Sequence, residues 1–216
     1  DLITHHLCGS RSAEFTIATT TQCYDPIARD WARDMLERVG IPTHILPPIV
    51  PPATRVGSLT DNPPEAAGTP VIAAAGHDTA CAVAAVPSEH EDFAYLSCGT
   101  WSLLGVETAE PLLTDEAMHA NFTNEGGVAG FRFLKNIAGL WVLQECRRAW
   151  LVETPHLSWE QLTAEAQAAP PFGTLVDPDA LDFLRPGDMP SRVAAWCSRR
   201  GLAAPTSRGA MARACL

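Results

Sequence analysis

The chain has 216 residues, 46% of them hydrophobic and 19% charged, enough apolar material for one large or two small domains. A formal net charge of −10, without clustered Lys and Arg, argues against nucleic-acid binding. No apolar run approaches the ~20 residues of a membrane-spanning helix, and the N-terminus lacks a signal peptide's basic-then-apolar order, so a soluble, cytoplasmic protein with no membrane partner is expected. Seven cysteines form no CxxC pair and no Cys/His cluster at metal-ligand spacing, so no metal site is assigned and reduced thiols, mostly in the core, are expected.

In chain order, Asp1 to Leu7 starts inside an apolar segment with no Met, as a fragment would. Glu14 to Gln22 is Thr-rich and reads either as a loop beside a ligand or as a simple strand or turn. Asp25-Pro26 reads as an N-cap and first helical residue, with Ile27, Trp31, Met35 and Val39 on one buried face and Gly40 closing the helix. Pro42 to Pro70 holds eight prolines and predicts an extended crossing, with one short strand at 55–59.

The stretch from Pro70 to Glu107 organises the rest. An apolar run breaks at Gly76 and delivers His77-Asp78-Thr79 ahead of an Ala/Val-rich segment, which predicts a buried strand turning into a helix. Asp78 reads there either as a helix cap or as a site carboxylate facing the carboxyl end of a sheet. Two further apolar runs flank Gly99-Thr100, a hairpin corner able to offer N–H groups and a hydroxyl to an anion. The polar break at 87–92 predicts a domain boundary, giving domains 1–90 and 91–216.

Asn121 to Gly127 reads as a loop, followed by a short strand at 131–134 and a long helix over 136–150 burying Ile137, Leu140, Trp141 and Leu143. On such a helix Asn136 and Gln144 share a broad side about 12 Å apart, as a solvated face or as two ligand contacts. Ser158 to Gln161 is a capping box for a helix to about 168, and a second helix is expected near 191–200, closed by Gly201. From Ser207 a helical pattern begins and runs uncapped to Leu216.

Taken together, His77-Asp78-Thr79-Ala80, the corner word Ser97 to Leu103 with Thr100 lying 22 residues beyond Asp78, and the words Glu14 to Gln22, Thr123 to Gly127 and Leu134 to Gln144 resemble the FGGY family of carbohydrate kinases. The longer words are most similar to members acting on L-rhamnulose. The resemblance implies an α/β, actin-like and ribonuclease-H-like two-domain sugar kinase fold, incomplete at both ends, with sugar and ATP held between domains. It implies ATP and Mg²⁺ as reactants, L-rhamnulose as acceptor, Asp78 as general base, His77, Asp78, Thr79 and Asn136 at the sugar, and Thr100 and Gln144 at ATP. Cys81 and Cys98 depart from the family words only as near-isosteric replacements. An isolated fragment lacking the family's phosphate loop and adenosine motif is expected to be inactive, and the oligomeric state stays open. The alternatives are a family kinase for fuculose or xylulose, and a non-catalytic sugar-binding relative.

Overall fold

The structure, a computed structural model, describes residues 1–60, 64–90 and 92–215. Residues 61–63 of the proline-rich crossing, Glu91 of the polar break and Leu216 of the last helix lie outside the described residues. The chain divides into two compact units, one of Asp1–Tyr95 with Gly105–Lys135, the other of Leu96–Leu104 with the chain from Asn136 onward.

The first unit opens with helix α1 (Leu2–Cys8), ended by Gly9 in the left-handed conformation, then strand β1 (Ala13–Glu14) and the short helix α2 (Phe15–Ala18). The Thr-rich run is thus helical, with Thr19–Thr21 as a tighter turn after α2. The helix expected over 25–39 is corrected to a small hairpin, β2 (Tyr24–Asp25) against β3 (Asp30–Trp31), followed by α3 (Arg33–Arg38). Asp25 still receives the N–H groups of Ile27 and Ala28, but it closes a turn, because Arg29 at φ 54° reverses the chain before a helix can propagate. Trp31 is buried as expected, whereas Ile27, Met35 and Val39 are exposed and Leu36 takes the inward place on α3.

Strand β4 (Ile49–Val50) runs parallel to β1, and β5 (Arg55–Ser58) fills the expected short strand. It pairs antiparallel with β6 (Pro70–Ile72), a strand with only Val71 buried, so the run before Gly76 is not the fully buried strand expected. Helix α4 (Asp78–Ala84) follows and buries Ala80 and Val83.

A four-stranded sheet has the order β7-β8-β10-β9, with β7 (Ala94–Cys98), β8 (Ser102–Thr108), β9 (Phe122–Gly126) and β10 (Phe131–Ile137); helix α5 (Asp115–His119) lies between β8 and β9 in sequence. The corner at 99–101 joins β7 to β8 as expected. The segment 121–127, expected as a loop, is instead mostly strand: β9 pairs with β10 from Phe131↔Gly126 to Lys135↔Phe122, and Phe122 stacks on Phe133 at 4.7 Å between ring centroids.

In the second unit the expected helix over 136–150 is shorter at its start. Residues 136 and 137 finish β10, and α6 spans Trp141–Trp150. Gly139 at φ 51° separates the two, and a Cβ on it would lie 2.5 Å from Ser102 Oγ, so backbone and packing both break the helix there. The inward face of α6 is Val142, Leu143 and Cys146 rather than Ile137 and Leu140. The capping box is present at Ser158 and Gln161, and α7 (Trp159–Ala168) runs as expected. Helix α8 (Met189–Arg199) and helix α9 (Arg208–Ala214), capped by Ser207, complete the unit.

Two apolar clusters hold it: Val142 and Cys146 with Phe183, Met189, Val193 and Trp196, and Leu143 with Leu157, Leu162 and Ala212. Cysteines are less uniformly internal than expected; Cys146 and Cys197 are buried, Cys81 and Cys98 exposed, and all seven are free thiols. Hydrogen bonding to Cys215 and burial push the Cys146 thiol well above its ordinary value.

Helices α7 and α9 touch backbone to backbone, since a Cβ on Gly209 would sit 2.3 Å from Glu165 O. Gly209→Ala is therefore expected to lower the unfolding free energy by about 2 kcal/mol by overpacking this contact, read from the urea midpoint.

Candidate active site

Glu14 ends β1 and is only 3% exposed. Its Oε1 accepts from Thr16 N at 3.0 Å, while Oε2 accepts from Thr16 Oγ1 at 2.6 Å, Ile17 N at 3.3 Å and Gly76 N at 2.7 Å. Thr16 Oγ1 in turn accepts from His77 N at 3.0 Å. One carboxylate thus caps α2 and ties down the backbone that enters α4. Gly76 eases this approach, because a Cβ there would stand 3.0 Å from Glu14 Oε2 and the carboxylate would have to give by a few tenths of an ångström.

Asp78 is the first residue of α4, with its side chain 96% exposed. Its Oδ1 accepts from Thr79 N at 2.8 Å and lies 3.6 Å from His77 Nε2. An open carboxylate held by its own helix and flanked by an imidazole can accept a proton from a hydroxyl brought against it. Thr79 is half-buried, its hydroxyl 3.4 Å from Asp78 Oδ1.

Behind His77 stands Arg132 of β10, fully buried. Its Nη2 lies 2.6 Å from His77 Nδ1 and donates to Glu125 Oε2 at 2.9 Å, and its Nε donates to Gly126 O at 3.1 Å. Glu125 Oε2 is also 3.4 Å from His77 Nδ1. Tyr95 belongs to the same surroundings: burial pushes its phenol up to about 12, opposed by the Arg132 charge and reinforced by Glu125 and Glu107. Neither Tyr95 Oη nor Arg132 Nη1 has a well-formed hydrogen bond with a described residue.

The second unit holds the other candidates. The Gly99-Thr100 corner receives the start of α6: Leu140 N donates to Gly99 O and Trp141 N to Thr100 O, each at 3.0 Å. Gln144 Nε2 donates to Thr100 Oγ1 at 3.1 Å, so these two expected nucleotide residues are brought together. Asn136 is exposed near the end of β10. Because it belongs to a strand, its expected spacing from Gln144 along one helix face is corrected.

Sequence reasoning passed over Glu14, Glu125 and Arg132 as site groups. The available signal was a charge between apolar neighbours, Phe131-Arg132-Phe133, and an acidic residue at the head of the Thr-rich run. Such inward charges need partners, and those partners lie far away in sequence.

The C-terminal domain of the FGGY family of carbohydrate kinases matches residues 94–216, and the family's N-terminal domain matches residues 1–85. The chain belongs to the FGGY family of carbohydrate kinases. It is similar to a rhamnulokinase from Bacteroides thetaiotaomicron, 41% identical over 217 residues, which covers 99% of this chain and 44% of that relative. It is also similar to a rhamnulokinase from Oceanobacillus iheyensis, 38% identical over 99% of this chain and 45% of the relative. The chain therefore spans less than half the length of these curated relatives. Among solved structures, a xylulose kinase from Rhodospirillum rubrum superposes with a TM-score of 0.70 at 18% identity, covering 99% of this chain and 43% of that one, a likeness that speaks for the shared FGGY fold.

In this FGGY chain the Glu14 carboxylate gathers four donors in a dry place. Glu14→Ala is expected to lower the unfolding free energy by about 3 kcal/mol, because several buried N–H groups lose their acceptor together. Urea denaturation followed by circular dichroism measures it.

Proposed function

We propose that this chain carries the phosphoryl-acceptor chemistry of an ATP-dependent L-rhamnulose kinase, forming L-rhamnulose 1-phosphate. Asp78 carries the reading: its carboxylate is open and lies on the first turn of α4, with His77 Nε2 beside it. In the proposed step a sugar hydroxyl gives its proton to Asp78 while its oxygen attacks the terminal phosphorus of ATP. The bond from that phosphorus to the bridging oxygen breaks, and ADP leaves with the electron pair. His77 and Thr79 flank the acceptor, and Asn136 is assigned to the sugar as well.

Thr100 and Gln144 are assigned to ATP, with their hydroxyl and amide already hydrogen-bonded to each other. Mg²⁺ enters this reading with the nucleotide, as that ion binds mainly through phosphates and a few carboxylates. No cluster of three His, Cys, Asp or Glu side chains fit for a metal occurs among the described residues. Support for L-rhamnulose over other ketoses is the 41% identity with a rhamnulokinase across almost the whole chain. A domain boundary near residue 90 belongs to the same reading, supported by the separate matches of 1–85 and 94–216 to the two family domains. So does a cytoplasmic setting, with which free thiols agree. Among the described residues no helix is long and apolar enough to cross a membrane.

An ADP-release assay on a protein completed to the length of the curated relatives, with L-rhamnulose, xylulose and glycerol as acceptors, tests the reading, with L-rhamnulose expected to give the highest kcat/KM; preference for xylulose would overturn that choice of substrate. In that completed protein Asp78→Asn is expected to lower kcat by at least ~100-fold with little change in fold, since it keeps the volume and removes the base. Thr100→Ile should raise the KM for ATP more than the KM for the sugar. Equal effects on both constants would make the corner a purely structural turn.

A further inference from the structure

The imidazole of His77 is offered opposite instructions by its neighbours. At Nδ1 the guanidinium of Arg132 stands 2.6 Å away and can only donate, because an Arg side chain has five N–H donors and no acceptor. At the same Nδ1 the Glu125 carboxylate, 3.4 Å away, can only accept when ionised. One nitrogen cannot serve both, since it carries either a lone pair or a proton.

Distance and competition decide between them. The Arg132 contact is shorter by 0.8 Å, the difference between 3.4 and 2.6 Å, and Glu125 Oε2 is already engaged by the same Arg132 Nη2 at 2.9 Å. Nδ1 must then hold the lone pair, and a neutral imidazole carries its proton on Nε2. Nε2 is the nitrogen 3.6 Å from Asp78 Oδ1, on the open side of the network. That separation exceeds a hydrogen bond, so the Nε2–H remains available to an oxygen placed beside the carboxylate.

We propose that Arg132 is a positioning residue: it fixes His77 as the Nε2–H tautomer, so that a donor and the Asp78 acceptor face the same reacting hydroxyl. With the other tautomer two acceptors, the Nε2 lone pair and the carboxylate, would face a hydroxyl that has one proton. Arg132 is itself held rigidly, since it is fully buried and its Nε is spent on Gly126 O at 3.1 Å. His77 is held by its main chain through Thr16 Oγ1, so the imidazole and the guanidinium are anchored independently. This role rests on the kinase reading, but the tautomer does not.

The test uses two-bond proton–nitrogen correlation spectra of the ¹⁵N-labelled full chain, with His77 assigned by His77→Gln. The expected wild-type pattern is a protonated Nε2 and a bare Nδ1; a protonated Nδ1 would overturn the proposal without any variant. In Arg132→Met the Glu125 carboxylate gains Nδ1, and a shift to the Nδ1–H form or to the doubly protonated ring is expected. Arg132→Lys, which keeps a donor, should retain the wild-type pattern. An unchanged pattern in a folded Arg132→Met protein, its fold judged from the backbone spectrum, would overturn the role of Arg132 in fixing the tautomer.

Where ADP release is measurable, Arg132→Met should lower kcat by at least about 10-fold with the KM for ATP unchanged, and Arg132→Lys should recover most of the loss. A shifted tautomer with wild-type kcat would overturn the positioning role alone. Absence of turnover in a wild-type protein completed to the length of the curated relatives, with the spectra as expected, would fail the kinase reading while leaving the assignment of His77 standing.

Discussion

The Glu14 carboxylate is the interaction on which the constellation around Asp78 depends. A carboxylate removed from water is costly unless donors surround it, and here donors from two distant segments do so. Because Gly76 N is one of them, capping α2 and setting the entry to α4 are a single event. The direction in which Asp78 leaves the backbone is thus decided by a residue 62 positions earlier than Gly76. A Cβ at position 76 would crowd the carboxylate, while Gly126 seals the other side, its N–H bound to Thr19 Oγ1 at 2.7 Å.

Arg132 adds a second layer with different energetics. A fully buried guanidinium paired with Glu125 contributes little net stability, because desolvation offsets most of the attraction. Losing one partner is far worse than lacking both, since a buried charge is left uncompensated. What such a pair provides is geometry: a planar donor in a fixed place dictates which atoms beside it accept. The raised Tyr95 phenol belongs to the same dry surroundings and stays a neutral hydroxyl across the physiological range.

The second unit uses backbone groups where the first uses charges. The first free N–H groups of α6 are met by the carbonyls of Gly99 and Thr100, so the corner acts as the helix's cap. The helix then places Gln144 against the Thr100 hydroxyl one turn further on. Gly139 makes this junction possible, being left-handed and too close to Ser102 for a side chain. Corner, junction and helix are joined by hydrogen bonds and present a hydroxyl and an amide together.

The sequence alone was enough wherever a signal is local. The break at Gly76, the Gly99-Thr100 corner, the Ser158 capping box and the Ser207 start each rest on residues within a few positions, and each stands where expected. The words around those signals also identified the family, which the two domain matches bear out. Local signals failed where two structures share one signature. Asp25-Pro26 caps a turn as readily as a helix, and only the left-handed Arg29 and the pairing of Tyr24 with Trp31 decided for a hairpin. The partnerships of Glu14 with Gly76 and of Arg132 with His77 span 62 and 55 positions. No spacing rule links residues so far apart; tertiary packing chose them, because a charge sealed from water must find its partners wherever the fold brings them.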